Sequence, residues 1–347
     1  MHTPKVMIIL VLFLLIVSCA PPPRNNVVKI GIVISPDEYG LNVLKGAQLA
    51  VKEAELANVR FFVEKSACDT NNADSVAEKL IFMRKVQVIV EGVCSDLATG
   101  LAPLAAENNV VMISAVSSAS ALSATGMLRT IPSDTMDAMF AADLLVQKKQ
   151  MNAAIMHLNE EIEARDAFAQ KLASQNARMV RAESFEKNSI QFETQLEAIA
   201  DSEATALYSI SDSSKTARLL LKQRQERAIS IPVYGSKWFK TDDVLGLGNA
   251  ANGLTIISPR LGNIGFITKY TGEYGIEPGL FSAQGYDAYK ALALVIVQGA
   301  RSSDEMREAL LKVEFIGASG FIDFNEQGDV GANVEVYVVN EGKFELQ

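Results

Sequence analysis

The chain is poor in the side chains that most often carry catalysis. It has only two histidines in 347 residues, His2 and His157. His2 falls in an N-terminal segment that reads as a removable leader, which leaves His157 alone. A histidine pair for a metal is therefore missing, and a nucleophile–histidine–acid triad would have to use that one residue at the end of a predicted strand. A satisfied structural role suits it better. Cationic side chains are also in deficit, with 32 Lys and Arg against 41 Asp and Glu and a net charge of -9. Such a surface repels polyanions, and there is no basic patch interleaved with aromatics, so nucleic-acid binding is excluded. The acids do not form a calcium loop. Asn159–Glu163 (NEEIE) lacks the alternating oxygen-ligand spacing and reads as a solvated helix start, where carboxylates suit the dipole. Gly246, Gly248 and Gly253 only superficially resemble a dinucleotide loop, because no strong strand precedes them and no helix follows. Neither metal nor cofactor is expected, and an enzyme is not the reading.

Long apolar runs are absent except at the N-terminus. Val6–Val17 (VMIILVLFLLIV), preceded by Lys5, is too short to span a bilayer comfortably, so residues 1–18 read as a signal peptide. Ile16-Val17-Ser18-Cys19 resembles a bacterial lipobox, in which Cys19 is lipidated. A plain secretory signal cut near Ser18 or Ala20 is the alternative. Residues 19–26, with the Pro-rich APPPRNN, then form a semi-stiff tether. The expected location is the cell envelope, outside the cytoplasm, with the lipid as the only membrane contact. Cys68 and Cys94 remain in an oxidising compartment, where a disulfide is expected; two free buried thiols are the alternative.

The rest of the chain alternates strand and helix twice over, and some 320 residues suit two bodies better than one. Strands at Val27–Ser35, Val59–Val63, Val86–Val90 and Val110–Ser114, with helices between them, read as a parallel sheet covered on both faces. A passage between bodies is placed at Pro132, after which the alternation resumes from Thr135 to Tyr234. Gly253–Ile257 is a candidate return strand. Helices over Gly285–Gly299 and Ser303–Val313 and a strand at Gly320–Asp323 complete the first body, and Val334–Leu346 forms a terminal hairpin. The first lobe is thus residues 27–132 with about 256–323, and the second 133–255 with about 324–347.

Val86–Asp96 (VQVIVEGVCSD) is the stretch around which the chemistry gathers. A buried strand broken by Gly92 delivers Cys94, Ser95 and Asp96 to the start of a helix, where unpartnered N–H groups and the helix dipole favour a small anion. An ordinary capped helix with nothing bound is the alternative. Ser117 and Ser118 follow the next strand, so hydroxyls gather at one edge of the first lobe.

With these features the chain resembles the type 1 periplasmic solute-binding proteins, in particular the leucine/isoleucine/valine-binding branch that serves ABC transporters. The resemblance runs from about Val28 to Phe344. It is carried by KIGIVIS, KGAQLAV, the SACDT and EGVCSD pair, MISAVSSASAL, LRTIPSD, EYGIEPGLFSAQGYDAYKAL and GASGFIDFNEQGDV. It implies an α/β fold of two doubly wound parallel-sheet lobes joined by a multi-strand hinge, with a small ligand held between them. It also implies that Ser95, Val116, Ser117 and Ser118 hold a ligand carboxylate. In the second lobe the pattern departs from the family. Ile162 stands near a usual tyrosine, Ser211 in the next such place, and Lys237 about where an acid pairs with the ligand ammonium. Either Asp212 takes over the ammonium, or the ligand lacks one and carries a second acid or an aromatic body stacked on Trp238. The implied role is the receptor of an ABC importer for an amino acid or related carboxylate, with a permease as partner. An envelope lipoprotein of the same fold that binds another protein with a reduced cleft is the alternative.

Overall fold

The structure is a computed structural model and describes residues 27–56 and 58–347. The signal, Cys19 and the tether lie outside the described residues. Among those described, no helix is long and apolar enough to cross a membrane.

The first body is built on a five-stranded parallel sheet. Its strands are β1 (Val28–Ile34), β2 (Val59–Lys65), β3 (Val88–Gly92), β4 (Val111–Ser114) and β5 (Leu128–Arg129), in the order β2-β1-β3-β4-β5. All of β3 and β4 is buried, as expected of near-continuous apolar strands with helices on both faces. The order reverses between β1 and β3, and ligands of such sheets bind beyond the carboxyl ends of the strands at that point.

The helix Glu38–Ala54 covers one face, its start capped by Asp37, whose Oδ1 accepts the Gly40 N–H at 3.1 Å. It lies close against the helix Ser282–Val297 because Gly46 has no side chain: a Cβ there would stand 1.9 Å from the Ser282 carbonyl oxygen. Asp287 on the second of these helices is buried and accepts the Ala318 N–H at 2.6 Å, the Ser319 N–H at 2.7 Å and the Ser319 hydroxyl at 2.6 Å. Burial pushes its carboxyl up to about 6 despite these bonds. The YDA and GASGF segments are thus two halves of one internal tie.

The second body holds a seven-stranded sheet. To β6 (Asn152–Leu158), β7 (Arg178–Phe185), β8 (Ala206–Ser209), β9 (Val233–Gly235) and β10 (Thr255–Pro259) it adds, beyond the separate hairpin β11 (Glu314–Ile316) and β12 (Phe321–Asp323), the terminal β13 (Val334–Asn340) and β14 (Lys343–Leu346). The terminal hairpin turns through Glu341 and Gly342, both with positive φ (46° and 74°), as a two-residue type I′ turn requires.

Two expected boundaries move. β10, placed near the return to the first body, pairs parallel with β9 and antiparallel with β13, so the return falls after Pro259. Phe324 and Val330 pack in the first core while Val334 packs in the second, so the last passage falls between Val330 and Val334. A short apolar run records that a strand is buried, not which sheet buries it. The chain passes between the bodies three times: after β5, after β10 and before β13.

Cys68 and Cys94 are joined, with Cα atoms 5.6 Å apart and a sequence separation of 26. The bridge ties the loop after β2 to the loop after β3. Replacing both cysteines by serine is expected to lower stability by about 3–4 kcal/mol, mainly by freeing the unfolded chain, and to lower the urea midpoint accordingly.

Candidate functional site

A cavity of about 320 Å³ lies between the bodies at the carboxyl ends of β3 and β4 on one side and β6, β8 and β9 on the other. The first wall begins at the helix Ser95–Glu107. Cys94 before it is extended and caps nothing with its side chain, so the first N–H groups of the helix lack intrahelical partners. The Ser95 hydroxyl accepts the Ala119 N–H at 3.2 Å, which joins this helix start to the loop after β4.

A residue that sequence reading passed over organises both loops. Glu91, in β3, is fully buried. Its Oε1 accepts the N–H groups of Val93 at 2.6 Å and Cys94 at 2.9 Å, and its Oε2 the hydroxyls of Ser114 at 2.5 Å and Ser117 at 2.7 Å. The Ser114 oxygen in turn accepts the N–H groups of Val116 at 3.2 Å and Ser117 at 2.8 Å. Burial pushes the Glu91 carboxyl up, against the pull of these four donors. The signal was present as a lone acid inside VIVEG, and an unpaired acid does not belong in a buried strand. Arg129 anchors the other end of the β4 loop. It donates to the Ala119 carbonyl at 2.8 Å and pairs with Asp329, 2.6 Å away, near the last passage between bodies.

The second wall contains charge. Lys237, 2 % exposed, donates to Asp134 Oδ1 at 2.9 Å and to the Ser118 hydroxyl across the cleft at 2.8 Å. Burial disfavours its ammonium, but Asp134, Asp137 and Glu161 prevail and hold its pKa above the ordinary lysine value. Asp137 lies one helical turn beyond Asp134, with both carboxylate oxygens buried and unbonded among the described residues. Burial first, and then Asp134, push it up to about 7 against the pull of Lys237. Glu161 is 3 % exposed, and its Oε2 accepts the Ser120 hydroxyl at 2.7 Å, again across the cleft. Burial and Asp134 push it up to about 7 as well. At the rim, Lys187 pairs with Asp96 of the first body and, at 3.2 Å, with Glu160 of the second. Trp238 meets Tyr39 edge-on at 5.5 Å and Phe281 at 6.1 Å, so an aromatic contact also bridges the bodies.

Of the eight side chains singled out from sequence, Ser95, Val116, Ser118, Ser211, Asp212 and Trp238 line the cavity. Ser117 and Lys237 lie behind it, the one held by Glu91 and the other neutralised by Asp134. Lys237 therefore does not present a free cation, contrary to what its position suggested. Asp212 is engaged by the Asn188 N–H at 2.7 Å and the Ser213 hydroxyl at 3.2 Å. The solvated helix start expected at Asn159–Glu163 is half corrected: Glu160 is exposed, whereas Glu161 is buried in the cavity wall. His157 lies outside the lining, with Nδ1 2.8 Å from the Leu158 carbonyl and its pKa lowered by burial. Among the described residues no cluster of His, Cys, Asp or Glu is placed to hold a metal ion.

Solved structures share this architecture. A leucine-binding protein from Thermotoga maritima MSB8 is 21% identical with a TM-score of 0.79, over 92% of this chain and 98% of that one. A branched-chain amino-acid substrate-binding protein from Streptococcus pneumoniae, in complex with isoleucine, is 21% identical with a TM-score of 0.76 over 92% and 98%. A solute-binding protein from R. palustris, in complex with benzoate, is 18% identical with a TM-score of 0.76 over 92% and 95%. At these identities the likeness is one of fold. No curated protein matches the sequence. The sequence does match the periplasmic binding protein family over residues 35–343, from the end of β1 into β14, and so takes in both bodies and all three passages between them. A two-bodied chain with its cavity at the facing strand ends, matched along nearly its whole described length, belongs to the periplasmic binding protein family.

Proposed function

We propose that the protein is an extracytoplasmic receptor of an ABC importer that captures a small carboxylate-bearing ligand, an amino acid or a related compound, by closing its two bodies around it. The observation that carries this reading is the cavity itself. Its walls come from loops of both bodies, so a ligand there favours the closed state through contacts on each side. Its volume, about 320 Å³, lies within the range of small-molecule sites. The ligands named for the structural relatives, leucine, isoleucine and benzoate, all carry a carboxylate.

In this reading the carboxylate sits at the start of the helix Ser95–Glu107, held by its free N–H groups and by Ser95, Val116 and Ser118. Ser117 and Lys237 act from behind the wall, and Ser211, Asp212 and Trp238 close the far side. The N-terminal segment supplies export and, through lipid on Cys19, the anchor; the closed form docks on a permease. The reading as a protein-binding envelope regulator is less well supported, since a reduced or empty cleft does not call for a cavity of this size.

Trp238 is the sole tryptophan, so its fluorescence reports on this wall alone. Titration with amino acids, dicarboxylates and aromatic acids is expected to give a saturable change with one class. A flat response to all three would favour the protein-binding reading.

A further inference from the structure

We infer that the turn at residues 82–85 (FMRK) rests on an anionic phospholipid surface, so that lipid on Cys19 is not the only membrane contact and the cavity of the anchored protein faces away from the bilayer. The inference goes beyond the receptor reading and rests on its lipid-anchored form.

The segment leading into β3 has an uncommon local geometry. A short helix, Ala73–Ala77, continues into a π-helical turn, Glu78–Met83, in which the Arg84 N–H reaches back five residues to the Lys79 carbonyl at 3.0 Å. Val76, Ala77, Leu80 and Ile81 form its buried stripe. At the ordinary 3.6 residues per turn, Met83, which follows Val76 by seven positions and Leu80 by three, would return to that stripe. The wider turn carries it outward instead. Met83 is 68% exposed and Phe82 54%, and turns of this kind are rare and recur at functional sites. Arg84 and Lys85 follow at once, and Lys29 of β1 donates to the Arg84 carbonyl at 3.0 Å. Lys79 is taken by Glu64 at 3.2 Å, whereas Lys29, Arg84 and Lys85 pair with no carboxylate among the described residues. Glu107 and Asp304 stand at the same end of the body, next to Asn108 and Ser303, so the positive charge belongs to this turn and not to the whole face. A hollow of about 300 Å³ opens beside Phe82, lined by the buried Ile81, Val86 and Val110 and by Lys85.

The start of β1 lies at this turn. The Lys29 N–H donates to Gln87 Oε1 at 2.7 Å, and the Gln87 N–H to the Lys29 carbonyl at 3.0 Å. Val27 is only eight residues after Cys19. A chain of that length reaches at most about 28 Å when fully extended. Lipid on Cys19 therefore holds the exposed Phe82 and Met83 close to the bilayer, and what they meet there suits them. Acyl chains receive the apolar pair, and anionic headgroups receive Lys29, Arg84 and Lys85. The cavity lies beyond the opposite, carboxyl ends of β3 and β4, so this contact leaves it facing away from the membrane.

The test is photo-crosslinking of the exported full chain, reconstituted through its own anchor into vesicles of phosphatidylcholine alone or mixed with phosphatidylglycerol. The variants are Met83→p-benzoylphenylalanine and, as a control, Ile264→p-benzoylphenylalanine, a position 80% exposed soon after the passage that follows β10. The expected result is a phospholipid adduct at position 83 in the mixed vesicles and none at position 264. Adding Arg84→Glu and Lys85→Glu is expected to lower that adduct at least about tenfold. Should the charge-reversed variant fail to fold, salt decides, since raising it to about 0.5 M is expected to weaken the adduct as well. Vesicles that carry the chain without a lipid adduct at position 83, equal adducts at both positions, an adduct no stronger in the mixed vesicles than in phosphatidylcholine alone, or an adduct to protein at position 83 would each overturn the inference. A chain that does not float with the vesicles at all overturns the anchored reading together with it, a result distinct from flotation without contact.

Discussion

Replacing Lys237 by methionine is expected to destabilise the protein by about 3–5 kcal/mol, the cost of breaking a buried pair by removing one partner. The lysine and Asp134 side chains are 3% and 10% exposed, so water cannot replace the lost ammonium. The loss extends beyond one pair, because Asp137 and Glu161 also rely on that charge. Its pH dependence follows from their raised pKa values. A carboxyl at about 7 in the folded state and about 4 in the unfolded chain binds more protons when folded, so its contribution is greatest at low pH and disappears as pH rises through 7. In the variant these acids rise further. The deficit relative to wild type should therefore grow from about pH 5 to pH 8 in urea unfolding. A deficit under about 1 kcal/mol that does not change with pH would show that the pair contributes little.

Glu91→Gln is expected to disturb both ligand-facing loops at once. The native carboxylate accepts all four of its hydrogen bonds, while the Ser114 hydroxyl already accepts two N–H groups and donates its only proton. A glutamine amide that keeps its oxygen on Val93 and Cys94 points its NH2 at Ser114, which has no lone pair left to receive it. Turned the other way, it faces two N–H donors with a third. Each buried group left unpaired costs about 1–3 kcal/mol. Stability is expected to fall by a few kcal/mol, and amide exchange to accelerate together in residues 92–97 and 114–119. Acceleration in only one of these segments would show that Glu91 does not link them.

Much of this architecture is legible in the chain because it is written in local terms. The apolar runs of β1, β3 and β4 mark buried parallel strands, and the serine-rich stretches after them mark where donors collect. Local pattern does not carry partnership. Lys237 looks like a cation aimed at the ligand until Asp134, 103 residues earlier, is seen beside it. Glu161 looks like a solvated acid at a helix start until Ser120 of the other body closes over it. β10 shares its composition with strands of either sheet, and only its pairing with β9 and β13 assigns it. Glu91 is the one member of the site that the sequence marked and composition reading still missed, a single acid in a strand with no room for one.

The central claim is that a small carboxylate-bearing ligand draws the two bodies together. Thermal unfolding of the protein with amino acids, dicarboxylates and aromatic acids tests it most directly. A ligand bound only by the folded state, at a hundred times its dissociation constant, adds about 2.7 kcal/mol. An upward shift with one of these classes is the expected result. No shift with any of them would contradict it.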